Sequence, residues 1–175
     1  MAKNEVIQYF VEGECEQKFI NSYKMGPCSF LKPGKVEILN MVNNRITKAR
    51  ARSIKQNTVV VLVYDIDQGN PTLLEENIRT LKECSLTKVI HVQSVKCFED
   101  EVIRSTKIKK IDEMFSTQGK ENFKTAFINH GDIVAKLKKV DFNQSLFWTT
   151  VFNDGPFSKY VSASSLSFIR KSKIK

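Results

Sequence analysis

A chain of 175 residues with 41% hydrophobic side chains is long enough for one domain and apolar enough to bury a core, which excludes global disorder. The longest apolar run, residues 59–64, is too short to cross a membrane, and the opening residues lack the apolar stretch of a secretory signal. We therefore expect a cytoplasmic protein. The net charge of +9 favours a polyanionic partner, although such a charge also occurs in proteins that bind none.

Cysteine and histidine usage argues against a structural zinc site. The four cysteines include no C-x-x-C pair, and the chain has only two histidines, so clustered thiolate and imidazole ligands are not available. We expect four reduced and mostly buried thiols. The cysteines are Cys15, Cys28, Cys84 and Cys97.

The first half of the chain alternates predicted strands with predicted helices. Strands are expected at 6–11, 36–39, 58–64 and 88–93, and helices at 14–24, 42–55 and 70–81. The third strand is apolar throughout, as in a strand covered by helices on both faces. Asn70 and Pro71 are a good N-cap and first-turn pair for the third helix. This order predicts an α/β fold with a mostly parallel four-stranded sheet flanked by helices.

The second half of the chain changes character after Cys97. An acidic helix is predicted to begin near Phe98, and two or three further helices are expected around 107–115, 121–128 and 132–138. We therefore divide the chain into a core, residues 1–105, and a helical C-terminal extension, residues 106–175, which packs on that core. The last part of the extension forms a predicted basic tail that contains Lys159, Arg170, Lys171, Lys173 and Lys175.

One predicted helix carries a basic stripe. Arg45, Lys48, Arg52 and Lys55 recur at positions that share one face, and no acidic residue occurs between Glu37 and Asp65. A stripe of charge is often only a solvated face. The absence of intervening acids favours the interpretation that these four residues bind nucleic acid through its phosphates.

Three acidic residues follow predicted strands. Glu12 ends the first strand, while Asp65 and Asp67 end the third, and the carboxyl ends of parallel strands meet at one edge of a sheet. Three close carboxylates repel one another unless a cation neutralises them, and oxygen ligands suit Mg²⁺ (or Mn²⁺). Gly13 is expected to permit a sharp turn that lifts the Glu12 carboxylate into the cleft. These residues predict a divalent-metal site.

The sequence Phe-Val-Glu-Gly-Glu-Cys-Glu at 10–16, with Val-Tyr-Asp-Ile-Asp at 63–67, resembles the Toprim domain. That domain is the metal-binding catalytic unit of topoisomerases, bacterial primases, recombination-repair proteins and several nuclease families. The resemblance covers residues 6–103 and implies that Glu12, Asp65 and Asp67 are catalytic metal ligands. The chain shows no topoisomerase-type tyrosine context, primase module or Walker motif. It is therefore most similar to the standalone nucleases of the family.

Weaker matches extend the predicted site. The overcoming-lysogenization-defect nucleases carry a second acid four residues after the first, where this chain has Glu16. Those nucleases and small defence-associated Toprim proteins also have an acidic segment after the next strand, which residues 98–101 resemble. From that segment Glu101 is taken as a metal ligand, with Glu99 as the alternative. Lys96 is the candidate for stabilising the charged transition state.

The resemblance implies a metal-dependent endonuclease that cleaves DNA or RNA, in phage defence or RNA processing, with any ATPase partner on a separate chain. Two alternatives remain open. One is a non-catalytic subunit that recognises nucleic acid or docks a partner through late aromatic residues, and the other is a phosphatase or nucleotidyl transferase. The aromatic residues in question are Phe142, Phe147, Trp148, Phe152 and Phe157.

Overall fold

A computed structural model describes residues 5–67, 69–85, 88–150, 154–160 and 163–171. The strands are β1 (Val6–Val11), β2 (Lys35–Ile38), β3 (Thr58–Asp65) and β4 (Lys88–Ser94). The helices are α1 (Glu14–Tyr23), α2 (Lys48–Arg52), α3 (Pro71–Ser85), α4 (Phe98–Arg104), α5 (Lys120–Asn129), α6 (Ile133–Lys139) and α7 (Ala163–Ile169). Short 3-10 helices lie at Ile111–Met114 and Ser158–Tyr160.

The four strands form one parallel sheet in the order β2-β1-β3-β4, so the predicted α/β fold is confirmed. In the register of the sheet Val11 lies beside Val63, and Asp65 lies beside Ser94. The carboxyl ends of the two central strands, β1 and β3, therefore meet at one edge. That edge carries the acidic residues.

Strand β3 is buried on both of its faces, which explains its continuous apolar sequence. Val59, Val61 and Val63 belong to one hydrophobic cluster, together with side chains of α1, α4, α5 and α6. The residues that alternate with them, such as Val60 and Leu62, belong to a second cluster with α2 and α3. The sheet thus separates two helical layers.

Residues beyond position 105 complete the first of these clusters. The ring of Phe19 in α1 stacks on Phe147, with 4.3 Å between ring centroids. Trp148 is buried in the same cluster and Phe157 in the second one, so these three late aromatics are core side chains and not an exposed docking surface. Phe152 lies outside the described residues, as do Lys173 and Lys175 of the predicted tail.

The helix predicted over residues 42–55 is wrong for most of its length, because only the five residues of α2 are helical. The buried side chain of Asn77 in α3 instead forms hydrogen bonds with the backbone of the loop that precedes α2. Its amide nitrogen donates to the carbonyls of Met41 and Asn44, and its oxygen accepts from the N–H of Ile46. Those backbone groups are satisfied without a helix.

Several other predictions can be compared directly with the structure. The side chain of Asn70 accepts from the N–H groups of Thr72 and Leu73, which confirms it as a cap of α3. The helix expected over 107–115 is instead the 3-10 helix Ile111–Met114. All four cysteines are free, and two of them, Cys15 and Cys97, are buried. Within the described ranges, none of the helices combines the length and apolarity needed to span a membrane.

Candidate functional site

Glu12 and Asp65 meet at the carboxyl edge of the sheet although 53 positions separate them. An Oε atom of Glu12 accepts a hydrogen bond from the backbone N–H of Asp65 at 3.1 Å. The following loop runs beside the end of β4, since the N–H of Ile66 donates to the carbonyl of Ser94 and that of Asp67 to the carbonyl of Lys96. Asp67 lies two residues beyond Asp65 and is exposed at the edge of the site.

Glu16 joins this group from the first turn of α1. Its side chain is buried, and an Oε atom accepts from the backbone N–H of Gly13 at 3.1 Å, which caps the helix. Gly13 has an extended backbone, with φ −148°, so the expected glycine-specific turn is wrong. Glycine nevertheless leaves room for the carboxylate that caps the helix. A Cβ atom at Gly13 would lie 3.3 Å from an Oε atom of Glu16.

In the acidic segment of α4 the side chain of Glu99 lines the site, whereas that of Glu101, the predicted ligand, does not. Glu101 is fully buried among structural partners. Its oxygens accept from the N–H groups of Val95 and Trp148 and pair with Arg104. Glu99 is also buried, but it faces the same cavity as the other acids.

The lysines of the site come from α5, in the C-terminal extension. Lys124 Nζ lies 3.8 Å from Glu99 Oε1, and Lys120 Nζ lies 3.3 Å from the sulfur of Cys97. Lys96 is exposed, adopts a positive φ of 71° and does not line the cavity, so its candidacy as the catalytic lysine is not supported. Sequence patterns gave no signal that α5 reaches the sheet edge.

These side chains surround a cavity of about 410 Å³. The uncharged residues that line it are Gly13, Cys15, Cys97, Phe98 and Ile128. The ionisable groups that line it are six carboxyl groups, Glu12, Glu14, Glu16, Asp65, Asp67 and Glu99, and two amino groups, Lys120 and Lys124. The cavity therefore attracts cations and retains two donors that can contact a phosphate.

Burial and mutual repulsion change the proton affinity of three of these acids. Burial, with the charges of Glu16 and Glu12, raises the pKa of Asp65 to about 8. Burial, with the charges of Glu12 and Glu99, raises the pKa of Glu16 to about 7. The pKa of Glu12 is also raised, chiefly by burial. A bound cation would favour the ionised form of each group.

The residues fit a divalent cation by their donor chemistry but do not form a finished coordination shell. No three His, Cys, Asp or Glu side chains within the described ranges converge closely enough to hold a metal ion as they stand. The cavity nevertheless offers the carboxylate oxygens that Mg²⁺ and Mn²⁺ prefer. Asp65 Oδ1 is shielded from solvent and has no hydrogen-bond partner among the described residues, which leaves an acceptor that a cation could satisfy.

The four residues of the predicted basic stripe do not share one helix. Lys48 and Arg52 lie in α2, whereas Arg45 precedes it and pairs with Glu76 at 2.6 Å. Lys55 follows α2, and it remains exposed, as do Lys48 and Arg52.

A scan of protein-family models, a search of curated proteins and a search of solved structures each return no match to the chain.

Proposed function

We propose that the chain is a metal-dependent nuclease with a Toprim-like core that hydrolyses phosphodiester bonds in DNA or RNA. One observation carries the proposal: six carboxylates and two lysines surround a single cavity at the carboxyl edge of a parallel sheet. Ligands of parallel α/β folds bind at this edge. Clustered carboxylates with adjacent lysines suit the metal-assisted hydrolysis of a phosphate ester.

The side chains divide into two chemical roles. Glu12, Glu16, Asp65, Asp67 and Glu99 would hold Mg²⁺ or Mn²⁺, which when bound acidifies water and stabilises negative charge on phosphate oxygens. The ammonium groups of Lys120 and Lys124 would contact the phosphate and offset the charge that develops on it.

The exposed cations of Lys48, Arg52 and Lys55 would hold the nucleic-acid backbone outside the cavity. The resemblance of the sequence motifs alone supports a role in phage defence or RNA processing, and an ATPase partner on another chain.

A cleavage assay tests the proposal. Purified protein is incubated with labelled single- and double-stranded DNA and RNA in Mg²⁺, Mn²⁺ or EDTA, beside Asp65→Asn and the control Glu5→Gln. Glu5 is an exposed acid at the opposite end of β1. We expect metal-dependent cleavage that falls by at least about 100-fold in Asp65→Asn and is unchanged in the control. Equal cleavage by Asp65→Asn would contradict the proposal.

A non-catalytic nucleic-acid-binding subunit is the second candidate. It is favoured by the contact of Lys124 with Glu99, which already offsets part of the acidic charge, and by the lack of a finished metal shell among the described residues. It predicts that nucleic acid binds equally well to the wild type and to Asp65→Asn, with no cleavage by either. Activity on a small phosphomonoester alone would favour a phosphatase.

A further inference from the structure

Trp148, the single tryptophan of the chain, connects the C-terminal extension to the carboxyl edge of the sheet. Its side chain is buried, and its indole N–H donates to the hydroxyl oxygen of Ser94, the last residue of β4, at 3.3 Å. Its backbone N–H donates to an Oε atom of Glu101 at 3.1 Å. Trp148 has a φ of 56°, a conformation that a residue other than glycine keeps only where the surrounding structure imposes it. Trp148 is therefore held in a defined position beside the end of β4.

Ser94 lies between Trp148 and the metal ligand Asp65. Asp65 and Ser94 are partners in the parallel register of β3 and β4. Side chains on the same face of a strand are two residues apart. Val63 and Val92, two positions earlier in each strand, both belong to the hydrophobic cluster that contains Trp148. The side chains of Asp65 and Ser94 therefore project toward the helical layer in which Trp148 is buried.

The hydroxyl of Ser94 has a proton to donate toward Asp65. An indole N–H can only donate, so the hydroxyl oxygen is the acceptor of that bond and its own proton remains available. Burial raises the pKa of Asp65 overall, whereas the Ser94 hydroxyl acts in the opposite direction, as a donor near a carboxylate does. The backbone N–H of Phe98 donates to Asp65 Oδ2 at 3.3 Å. Two groups thus orient the carboxyl, and Oδ1 is left without a partner among the described residues.

We propose that Trp148 and Ser94 are positioning residues that orient the Asp65 carboxyl for cation binding, and that they couple the acidic cavity to the C-terminal extension. The inference rests on the metal site of the proposed function. Neither residue lines the cavity, so both act through Asp65. Groups that orient a metal ligand typically change metal affinity about 10- to 100-fold when they are removed.

Titration with Mn²⁺, followed by electron paramagnetic resonance, tests the two residues. Ser94→Ala should weaken Mn²⁺ binding about tenfold, and Trp148→Phe, which keeps a buried ring but loses the donor, about threefold or more. The double variant should bind no more weakly than Ser94→Ala alone, because both residues act through one contact. Ser105→Ala is the matched control. Ser105 is also buried, but its hydroxyl donates to the backbone carbonyl of Glu101 at 2.7 Å, so its removal should leave Mn²⁺ binding unchanged.

The fluorescence of Trp148 reports the same coupling without any cleavage, because no other tryptophan contributes. Addition of Mg²⁺ to metal-free wild type should change the emission over the concentrations at which Mg²⁺ displaces Mn²⁺. Asp65→Asn should abolish this change, and Ser94→Ala should reduce it at least about twofold. Circular dichroism and thermal unfolding check that each variant is folded.

The outcomes separate this inference from the proposed function. Absence of Mn²⁺ binding by the wild type would remove the metal site and this inference with it. Wild-type affinity in Ser94→Ala, an equal loss in Ser105→Ala, or an emission that does not respond to bound Mg²⁺ would overturn this inference alone. Additive losses in the double variant would also overturn it, since the two residues would then act independently.

Discussion

Asp65 lies largely buried beside Glu12 and Glu16, and this position determines how metal-free protein responds to pH. Its folded pKa of about 8 lies well above the value of about 4 expected in an unfolded chain. Between these values the folded state binds more protons than the unfolded state, so the free energy of unfolding decreases as pH rises. The effect is absent below about pH 4 and complete above about pH 8.

We therefore expect Asp65→Asn to stabilise the metal-free protein at pH 8 while leaving it nearly unchanged at pH 4. Asparagine keeps an oxygen that can accept from the N–H of Phe98 but cannot carry charge. Urea unfolding in EDTA at a series of pH values measures the difference, which should amount to roughly 1 kcal/mol or more. A variant that is less stable than the wild type at pH 8 would show a structural role for the carboxylate.

Lys124 of α5 lines the acidic cavity. Replacing it with glutamine removes the charge, and replacing it with arginine keeps the charge but changes the shape of the side chain. Lys124→Gln should lower kcat of nucleic-acid cleavage by about 10- to 100-fold because a cation near the phosphate is lost, and Lys124→Arg should recover part of it. Steady-state kinetics with the control Lys110→Gln measure the effect. Wild-type kcat in Lys124→Gln would remove this residue from the proposed chemistry.

The approach of Glu12 to Asp65 could be predicted from the sequence. Glu12 and Asp65 each end a strand, and parallel neighbours bring strand ends together. Whether Glu99 or Glu101 faces the cavity depends on how α4 is rotated at Cys97, which local patterns do not encode. Lys120 reaches the site only through the packing of α5 on α1, a tertiary contact with no signature in the sequence.

At the scale of elements, Asn77 decides the path of the loop before α2. Asn77→Ala removes three hydrogen bonds, two of them buried, to the backbone groups of Met41, Asn44 and Ile46. We expect a loss of about 2–4 kcal/mol in the free energy of unfolding, measured with denaturant. Asn122→Ala, at an exposed position of α5, is the matched control and should cost less than about 1 kcal/mol. A small effect at Asn77 would contradict this account.

The exposed cations in and after α2 give a prediction on nucleic-acid binding. Changing Lys48, Arg52 and Lys55 together to glutamine should weaken binding and reduce the slope of log K against log salt by up to about three. Titration at several salt concentrations measures both quantities. Glutamine at Lys109, Lys110 and Lys139, which are also exposed, controls for net charge. An unchanged slope in the first variant would exclude these cations from the interface.

The mistaken helix over 42–55 shows why element boundaries are hard to predict from sequence. Helical periodicity was present in the spacing of the basic residues, but a single buried amide from α3 satisfies the backbone in another way. The cap at Asn70, in contrast, depends only on its immediate neighbours, and it formed as predicted. Local signals were reliable where no distant side chain competed with them.

For the whole molecule, the four strands and their parallel direction followed from the alternation of strand and helix in the sequence, whereas their order in the sheet did not. The sequence predicted that the C-terminal extension packs on the core. It did not predict which residues of the extension contact which residues of the core. The stacking of Phe147 on Phe19 joins residues 128 positions apart (147 minus 19). A separate contact places α5 and its lysines at the acidic cavity, since the ring of Phe127 in α5 lies 5.3 Å from that of Phe98 in α4.

Titration of the protein with Mn²⁺, followed by electron paramagnetic resonance, tests the central claim that the acidic cavity binds a divalent cation. The wild type and Glu5→Gln should bind Mn²⁺ alike, and Mg²⁺ should displace it. Glu12→Gln and Asp65→Asn should each weaken binding at least about tenfold, since each removes a carboxylate ligand. Equal Mn²⁺ binding by the wild type and both of these variants, or no binding by the wild type, would contradict the claim.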